Sequence, residues 1–376
     1  MLNALAFLPE DLDHSEDMSH GWAVLQACVP AGHWQVVRTA EPGRWLAEHA
    51  ESLRAQDGPL LVIYNPMLTV CRDLVATLHD ALRDSRAPCV IPADRSGVGS
   101  PAALYYATLR GLERDAAGLR ARPPFAYDGR PVHLALFADA GSAVQAAGAP
   151  ALPTGSLIVP GALVHDHSAY YAGERPEVLA LLPERIGRFL DVGGGEGKFA
   201  ASVRQAKGCE AHVAELNPAV AARAADRVDR VWAGDIFGQA EMPRFDCITA
   251  LDMVEHVDNP EALIACLGNL LNEDGRLVVS LPNLGHWSVV GDLLEGYWDY
   301  IAVGIACRTH RRFFSRSTME DLFSRAGWII ERCESTLHPA PPGWVERLAA
   351  LGKDLALNVD AASLETYAYL VVARRQ

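Results

Sequence analysis

The stretch that decides the fold is Gly187-Arg-Phe-Leu-Asp-Val-Gly-Gly-Gly-Glu-Gly197. It reads as an apolar strand that ends on Asp191, opens into a glycine-rich turn and runs into a helix from about Glu196. Gly193, Gly195 and Gly197 remove the Cβ atoms that would hold a ligand away from the backbone. The helix N-terminus adds free N–H groups beside the turn. Such a crevice, at the carboxyl end of a first strand, takes a nucleoside-bearing cofactor. Dinucleotide enzymes carry Gly-x-Gly-x-x-Gly there and set a pyrophosphate on the helix N-terminus. Here the spacing is Gly-x-Gly-x-Gly, with Asp191 two residues ahead of it.

Further strands follow at regular intervals. Glu210–Glu215 ends on a carboxylate about 20 residues past the loop, where an acid can accept both hydroxyls of a ribose. Arg230–Ile236 carries Asp235 near its end, and Phe245–Asp252 leads into Met253-Val-Glu-His-Val257. Gly275–Leu281 closes the series at Pro282-Asn283. Alternation of strands and helices from 186 to 281 implies parallel βαβ units. A single acid at a strand end is readily a solvated loop charge. Three in succession are hard to explain that way.

This arrangement resembles motif I and the following strands of class I S-adenosylmethionine-dependent methyltransferases. The likeness covers about residues 161–376 and is nearest to MetW-like and ubiquinone-biosynthesis O-methyltransferase catalytic domains. It implies an α/β Rossmann-like sheet of seven strands with the last one antiparallel. It implies S-adenosylmethionine as cofactor, whose ammonium and sulfonium suit an acidic loop. By the same resemblance, Asp191, Gly193, Gly194 and Gly195 line the cofactor loop, and Glu215 with Leu216 takes the ribose. Asp235 bonds the adenine amino group and Ile236 packs on the ring. Leu251, Asp252 and Met253 approach the methionine end. A Tyr-Tyr…Arg run upstream matches the family's N-terminal lid, placing Tyr171 on the cofactor and pairing Arg175 with its carboxylate, a charge-assisted contact.

If Asp252–Val257 is helical, Asp252, Glu255 and His256 share one face at i, i+3 and i+4. Two carboxylates and an imidazole make a divalent-metal set. The segment resembles the metal-binding Glu-x-x-Glu-His of the ubiquinone-pathway enzymes, but its first acid is the shorter Asp. His256 as general base, with Glu255 beside it, and both as structural or substrate-orienting groups, stand beside the metal reading. A neutral His near its ordinary pKa suits proton removal from a hydroxyl or amine.

The stretch Asn283–Phe314 reads as an irregular, aromatic-rich acceptor lid with Trp287, Trp298 and Thr309-His310-Arg-Arg-Phe-Phe314. His310 is split between a catalytic or substrate role and a structural one. Trp298, Phe313 and Phe314 read as core plugs. Ser315 is expected to cap a helix through Ala326 that Gly327 ends. A strand Trp328–Glu334, a short helix at about 343–352 and a last strand Thr366–Ala373 complete the expected count.

Residues 1–155 look like a smaller α/β domain, with strands at Leu60–Tyr64, Cys89–Ile91 and Val132–Phe137 and a helix at Leu74–Leu82. Residues 138–155 read as a connector. Asp11-x-Asp13 matches the metal-binding pair of some glycosyltransferases, and a polar loop is the plainer reading. The arrangement resembles bacterial chains in which a glycosyltransferase-like domain precedes such a methyltransferase. Here that domain looks shortened and suited to docking or to homo-oligomer formation. His165-x-His167 reads as polar linker surface.

The net charge of −14 over 376 residues argues against general nucleic-acid binding. The 8 cysteines form no Cys-x-x-Cys pair, and Cys209, Cys247 and Cys266 read as small apolar residues of a chain in a reducing cytoplasm. No apolar run reaches the roughly 18–20 residues of a membrane span. The expected activity is methyl transfer to an oxygen or nitrogen of a small-molecule or sugar-pathway acceptor. The rivals are a NAD-linked oxidoreductase on the same fold and a non-catalytic cofactor-binding scaffold.

Overall fold

A computed structural model describes residues 2–8, 19–94, 108–147, 152–167, 173–239, 241–301 and 303–376. The chain divides into two compact units, one of residues 1–168 with 299–303 and one of residues 169–298 with 304–376.

The first unit is built on strands β1 (Asn3–Leu8), β2 (Trp34–Arg38), β3 (Leu60–Ile63), β4 (Leu68–Val70), β5 (Cys89–Asp94), β6 (Phe125–Ala126), β7 (Leu134–Phe137) and β8 (Leu157–Asp166). Their order is β2-β1-β3-β7-β5-β8-β4, with β6 paired to β8. The apolar runs at 60–63 and 134–137 are wholly buried, as strands covered on both faces must be. Three expectations change. The stretch read as a connector contains a helix, Ala140–Ala147, because Ala140 and Ala143 give it a side that can be buried. Residues 157–166 form one continuous strand of this sheet, so the boundary lies later than 161. His165 and His167 are therefore not linker surface. His165 lies in β8, and His167 is buried just past it. Asp11 and Asp13 lie outside the described residues.

The second unit carries β9 (Arg188–Val192), β10 (Glu210–Glu215), β11 (Arg230–Ala233), β12 (Phe245–Leu251), β13 (Leu271–Pro282), β14 (Trp328–Leu337) and β15 (Thr366–Arg375). The order is β11-β10-β9-β12-β13-β15-β14, parallel except for β15, which runs antiparallel to both of its neighbours. This is the expected seven-stranded Rossmann-like sheet. Period-two alternation divides the core. Leu190, Val192, Ile248, Ala250, Leu277 and Val279 pack on one face. Phe189, Cys247 and Val278 pack on the other, with Phe199, Ala200 and Val203 of the helix Lys198–Lys207. The chain crosses from β9 to β10 on one side and returns through β12 on the other. That reversal opens a crevice at the carboxyl ends of β9 and β12.

The helix expected from Ser315 runs Arg316–Arg325 and starts in a reciprocal cap. The Thr318 N–H donates to Ser315 Oγ, and the Ser315 N–H donates to Thr318 Oγ1 at 2.9 Å. Gly327 ends it at φ +76°. Ser315→Ala is expected to cost about 1 kcal/mol, read as a lower urea midpoint by tryptophan fluorescence. An unchanged midpoint would show that the cap carries no net stability. The lid stretch is not wholly irregular either. It contains the helix Trp287–Leu294, whose first turn His286 caps by accepting from the Ser288 N–H. Phe314 is in the core as expected, while Phe313 is half-buried against Trp298, ring centroids 5.3 Å apart.

Candidate active site

The glycine loop begins where β9 ends. Gly193, Gly195 and Gly197 all have positive φ, at +72°, +55° and +75°, so the turn is one that side-chain-bearing residues rarely adopt. It delays the helix to Lys198, two residues past the expected start, with Gly197 as its left-handed cap. A Cβ on Gly194 would stand 2.9 Å from Asp191 Oδ2, so this glycine gives the carboxylate its room.

Parallel register places Thr249 of β12 opposite Asp191 of β9, and the Thr249 hydroxyl donates to Asp191 Oδ1 at 2.6 Å. Burial pushes the Asp191 carboxyl up to about 7, assisted by the nearby Glu215 charge and opposed by Thr249 and Arg175. Glu215, at the end of β10, is buried. Its two oxygens accept separately from the Gly195 N–H at 3.0 Å and the Asn217 N–H at 2.9 Å. Each oxygen keeps lone-pair capacity for a further donor. Leu216 beside it is 71% exposed, an apolar surface at the crevice. Asp235 is exposed and accepts from the Phe237 N–H at 3.0 Å. Ile236 is buried in the core, and Phe237 next to it is 50% exposed.

The segment after β12 departs from expectation. Only Val254–His256 is helical, as a single 3-10 turn, and Asp252 sits in left-handed backbone at φ +49°. Asp252, Glu255 and His256 therefore do not share a helical face, and the metal set expected from them does not form. Ser280 of β13 holds Asp252 at both its backbone and its side chain. Its hydroxyl donates to Asp252 Oδ1 at 2.7 Å and accepts from the Asp252 N–H at 2.8 Å. Arg175 donates to two carboxylates of the chain, Asp252 Oδ2 at 2.5 Å and Glu177 Oε1 at 2.6 Å. Leu251 and Met253 are half-buried at this bend. Tyr171 lies outside the described residues.

His310 takes the place that Asp252 leaves. One ligand atom each from Glu255, His256 and His310 lie within 4.8 Å of one another. The rings of His256 and His310 meet edge to face at 4.7 Å, and His310 Nε2 stands 3.8 Å from Glu255 Oε1. The turn holding His310 is fixed to this site. The Arg311 and Arg312 N–H groups both donate to the Glu255 carbonyl, at 2.8 and 3.0 Å. His310 Nδ1 lies 3.0 Å from the Ile305 carbonyl, which accepts its proton and leaves Nε2 as an acceptor. Burial first, and then His256, push His310 down to about 4, so it is neutral at pH 7. Glu255 is 1% exposed, and neither carboxylate oxygen has a hydrogen-bond partner among the described residues. Burial, helped by the Asp252 charge, raises its carboxyl far above the ordinary range.

Sequence reasoning missed Thr249 and Ser280, which hold Asp191 and Asp252. The signal was one hydroxyl inside each apolar strand run, Cys-Ile-Thr-Ala-Leu251 and Leu-Val-Val-Ser-Leu281.

Residues 164–332 match the profile of a family described as a methyltransferase domain. A 40-residue stretch is 48% identical to the ubiquinone biosynthesis O-methyltransferase of Glaesserella parasuis serovar 5, covering 11% of this chain and 17% of that protein. Among solved structures, a TehB-like S-adenosylmethionine-dependent methyltransferase from Corynebacterium glutamicum is 18% identical, with coverages of 53% of this chain and 85% of that chain and a TM-score of 0.35. An S-adenosylmethionine-dependent methyltransferase from Mesorhizobium loti is 20% identical, with coverages of 54% and 99% and a TM-score of 0.38. With the loop, the ordered strand-end acids and the 3-2-1-4-5-7-6 order of the sheet, the profile match identifies residues 164–332 as a methyltransferase domain of the class I, S-adenosylmethionine-dependent kind.

Proposed function

We propose that the chain transfers the methyl group of S-adenosylmethionine to an oxygen or nitrogen of a small-molecule or sugar-pathway acceptor. The observation that carries this reading is the joining of an acid-lined glycine crevice to a group of buried Glu255 with half-buried His256 and His310 by one short bend, 252–254. The crevice suits the cofactor. Gly194 keeps the loop open over Asp191, and Glu215 retains lone pairs for ribose hydroxyls. Asp235 and the apolar surfaces of Leu216 and Phe237 suit an adenosine. Arg175 and Asp252 hold each other, and an amino-acid zwitterion carries the complement of both charges. When bound, S-adenosylmethionine supplies a methyl group already activated by its sulfonium.

The protein's own work is then to align the acceptor and take its proton. His256 is assigned as the base. Neutral His310, oriented by Ile305, lends an acceptor nitrogen beside it. The experiment is isothermal titration with S-adenosylhomocysteine, expected to give one site per chain, followed by an acceptor screen with labelled cofactor. Heat with NAD and none with S-adenosylhomocysteine would replace this reading by the oxidoreductase.

Asp191 gives the binding a pH signature. Its carboxyl is held up to about 7, and a ligand ammonium nearby favours the ionised form. Binding then releases a proton below pH 7. Affinity for S-adenosylhomocysteine should rise with pH by up to about tenfold per unit and level off above 7. Titration in two buffers of different ionisation enthalpy checks the proton count, and a flat profile from pH 5.5 to 7.5 would contradict it.

A second reading has its own observation. The clustered atoms of Glu255, His256 and His310 form a two-imidazole, one-carboxylate set, with His310 oriented through its other nitrogen. A divalent ion held there would satisfy Glu255 and act as a Lewis acid on the acceptor. Loss of activity in EDTA, restored by Mg²⁺ or Zn²⁺, distinguishes it from the base. For the first unit the proposal is docking or self-association, and glycosyl transfer from a nucleotide sugar by the full chain would overturn it.

A further inference from the structure

Arg308 lies in the hydrogen-bonded turn that carries His310. The Cys307 N–H donates to the Gly304 carbonyl and the His310 N–H to the Cys307 carbonyl, both at 3.0 Å. Its guanidinium atoms Nε and Nη2 are buried and have no hydrogen-bond partner among the described residues. An arginine stem often covers apolar surface while its head stays in water. Here two of the three head nitrogens, Nε and Nη2, are covered in a residue that is half-buried as a whole. A buried carboxyl such as Glu255 escapes its cost by taking up a proton, but a guanidinium keeps its charge at any working pH. A buried charge persists in native proteins when it is paired. The neighbouring arginines are occupied differently. Arg311 pairs with Asp258 at 2.8 Å, and Arg312 donates to the carbonyls of Asp258 and Arg311. The turn is thus a local concentration of positive charge, Arg308-Thr-His-Arg-Arg312, in a chain of net charge −14. Such a patch steers anions toward it.

Resting on the methyltransfer reading, we propose that the acceptor carries an oxyanion, a carboxylate or a phosphate, and that this group pairs with Arg308 while the nucleophile lies toward His256 and His310. A planar fork of donors matches either anion in a bidentate contact. Arg308 is then a substrate-binding residue that sets specificity. No bond to it is made or broken in the reaction.

The test uses the full chain saturated with S-adenosylhomocysteine, at constant ionic strength, with benzoate and inorganic phosphate as separate probes. One of the two should bind saturably, and which one does separates a carboxylate acceptor from a phosphorylated one. Arg308→Gln should weaken that binding at least about tenfold, the scale of losing a charged hydrogen bond, and Arg308→Lys should recover part of it. S-adenosylhomocysteine affinity should stay within about twofold in both variants, since the guanidinium pairs with the acceptor and not with the cofactor. Without any probe, Arg308→Gln should melt higher than wild type by about 2–4 °C, because it removes an unpaired charge that is covered at Nε and Nη2. Adding the binding probe should close that gap by stabilising the wild type alone. Wild type that binds S-adenosylhomocysteine but neither anion, or Arg308→Gln that binds anions as wild type does, overturns the inference and leaves methyl transfer standing. Wild type that does not bind S-adenosylhomocysteine fails the methyltransfer reading instead.

Discussion

Replacing His256 by alanine is expected to lower kcat by roughly 10²–10⁴, the usual contribution of a general base, while leaving S-adenosylhomocysteine affinity nearly unchanged. The separation of the two effects follows from the geometry. His256 lies past the bend at Asp252, grouped with Glu255 and His310, whereas the crevice is framed by Asp191, Glu215 and the glycine loop. His310 should behave differently. Its Nδ1 is committed to Ile305 and its Nε2 faces Glu255, so it is better placed to orient an acceptor than to carry a proton away. His310→Ala should therefore raise KM as well as lower kcat. The measurement is steady-state kinetics with the first acceptor that turns over in a screen, with cofactor affinity read separately by calorimetry. Full activity in His256→Ala with EDTA harmless would leave alignment alone as the mechanism and remove both the base and the metal roles from this residue.

Glu215→Ala is expected to weaken S-adenosylhomocysteine binding by about 1–3 kcal/mol, the cost of losing charge-assisted hydrogen bonds. The loss has two parts. A ribose would lose an acceptor for its hydroxyls. The Gly195 and Asn217 N–H groups, which both donate to this carboxylate, would lose the anchor that fixes the loop against β10. Glu215→Gln separates the parts, because its amide oxygen can still accept from one N–H while the charge is gone. Calorimetry on the three proteins should order the affinities wild type, Gln, Ala. Equal affinity in wild type and Glu215→Ala would place the ribose elsewhere and remove the strand-end acids as the basis of the cofactor site.

Much of the second unit was written locally. Strand runs such as Phe189-Leu-Asp-Val192 and Leu277-Val-Val-Ser-Leu281 alternate between two buried faces, and that period survives in the folded sheet. The glycine loop was equally legible, because positive φ at three positions is a property of the residues themselves. The Ser315 cap was readable for the same reason, since its partner Thr318 is three residues away. The Asp252–Glu255–His256 helix face was not there, because the backbone at Asp252 is set by Ser280 from another strand and by Arg175 from before β9.

By itself, the sequence determined the order of the second unit's strands, the class of its sheet and the acids presented at the ends of β9, β10 and β11, all of which depend on residues within a few positions of one another. Tertiary structure decided which acid meets which partner. Thr249 reaches Asp191 only through parallel register, 58 residues apart in sequence. His310 joins Glu255 and His256 only because the turn after the lid hangs from the Glu255 carbonyl. The same enclosure holds His310 neutral and leaves the Glu255 carboxylate and Arg308 Nε and Nη2 buried without hydrogen-bond partners among the described residues. Burial of a charge depends on everything that surrounds it, and no run of neighbouring residues specifies that.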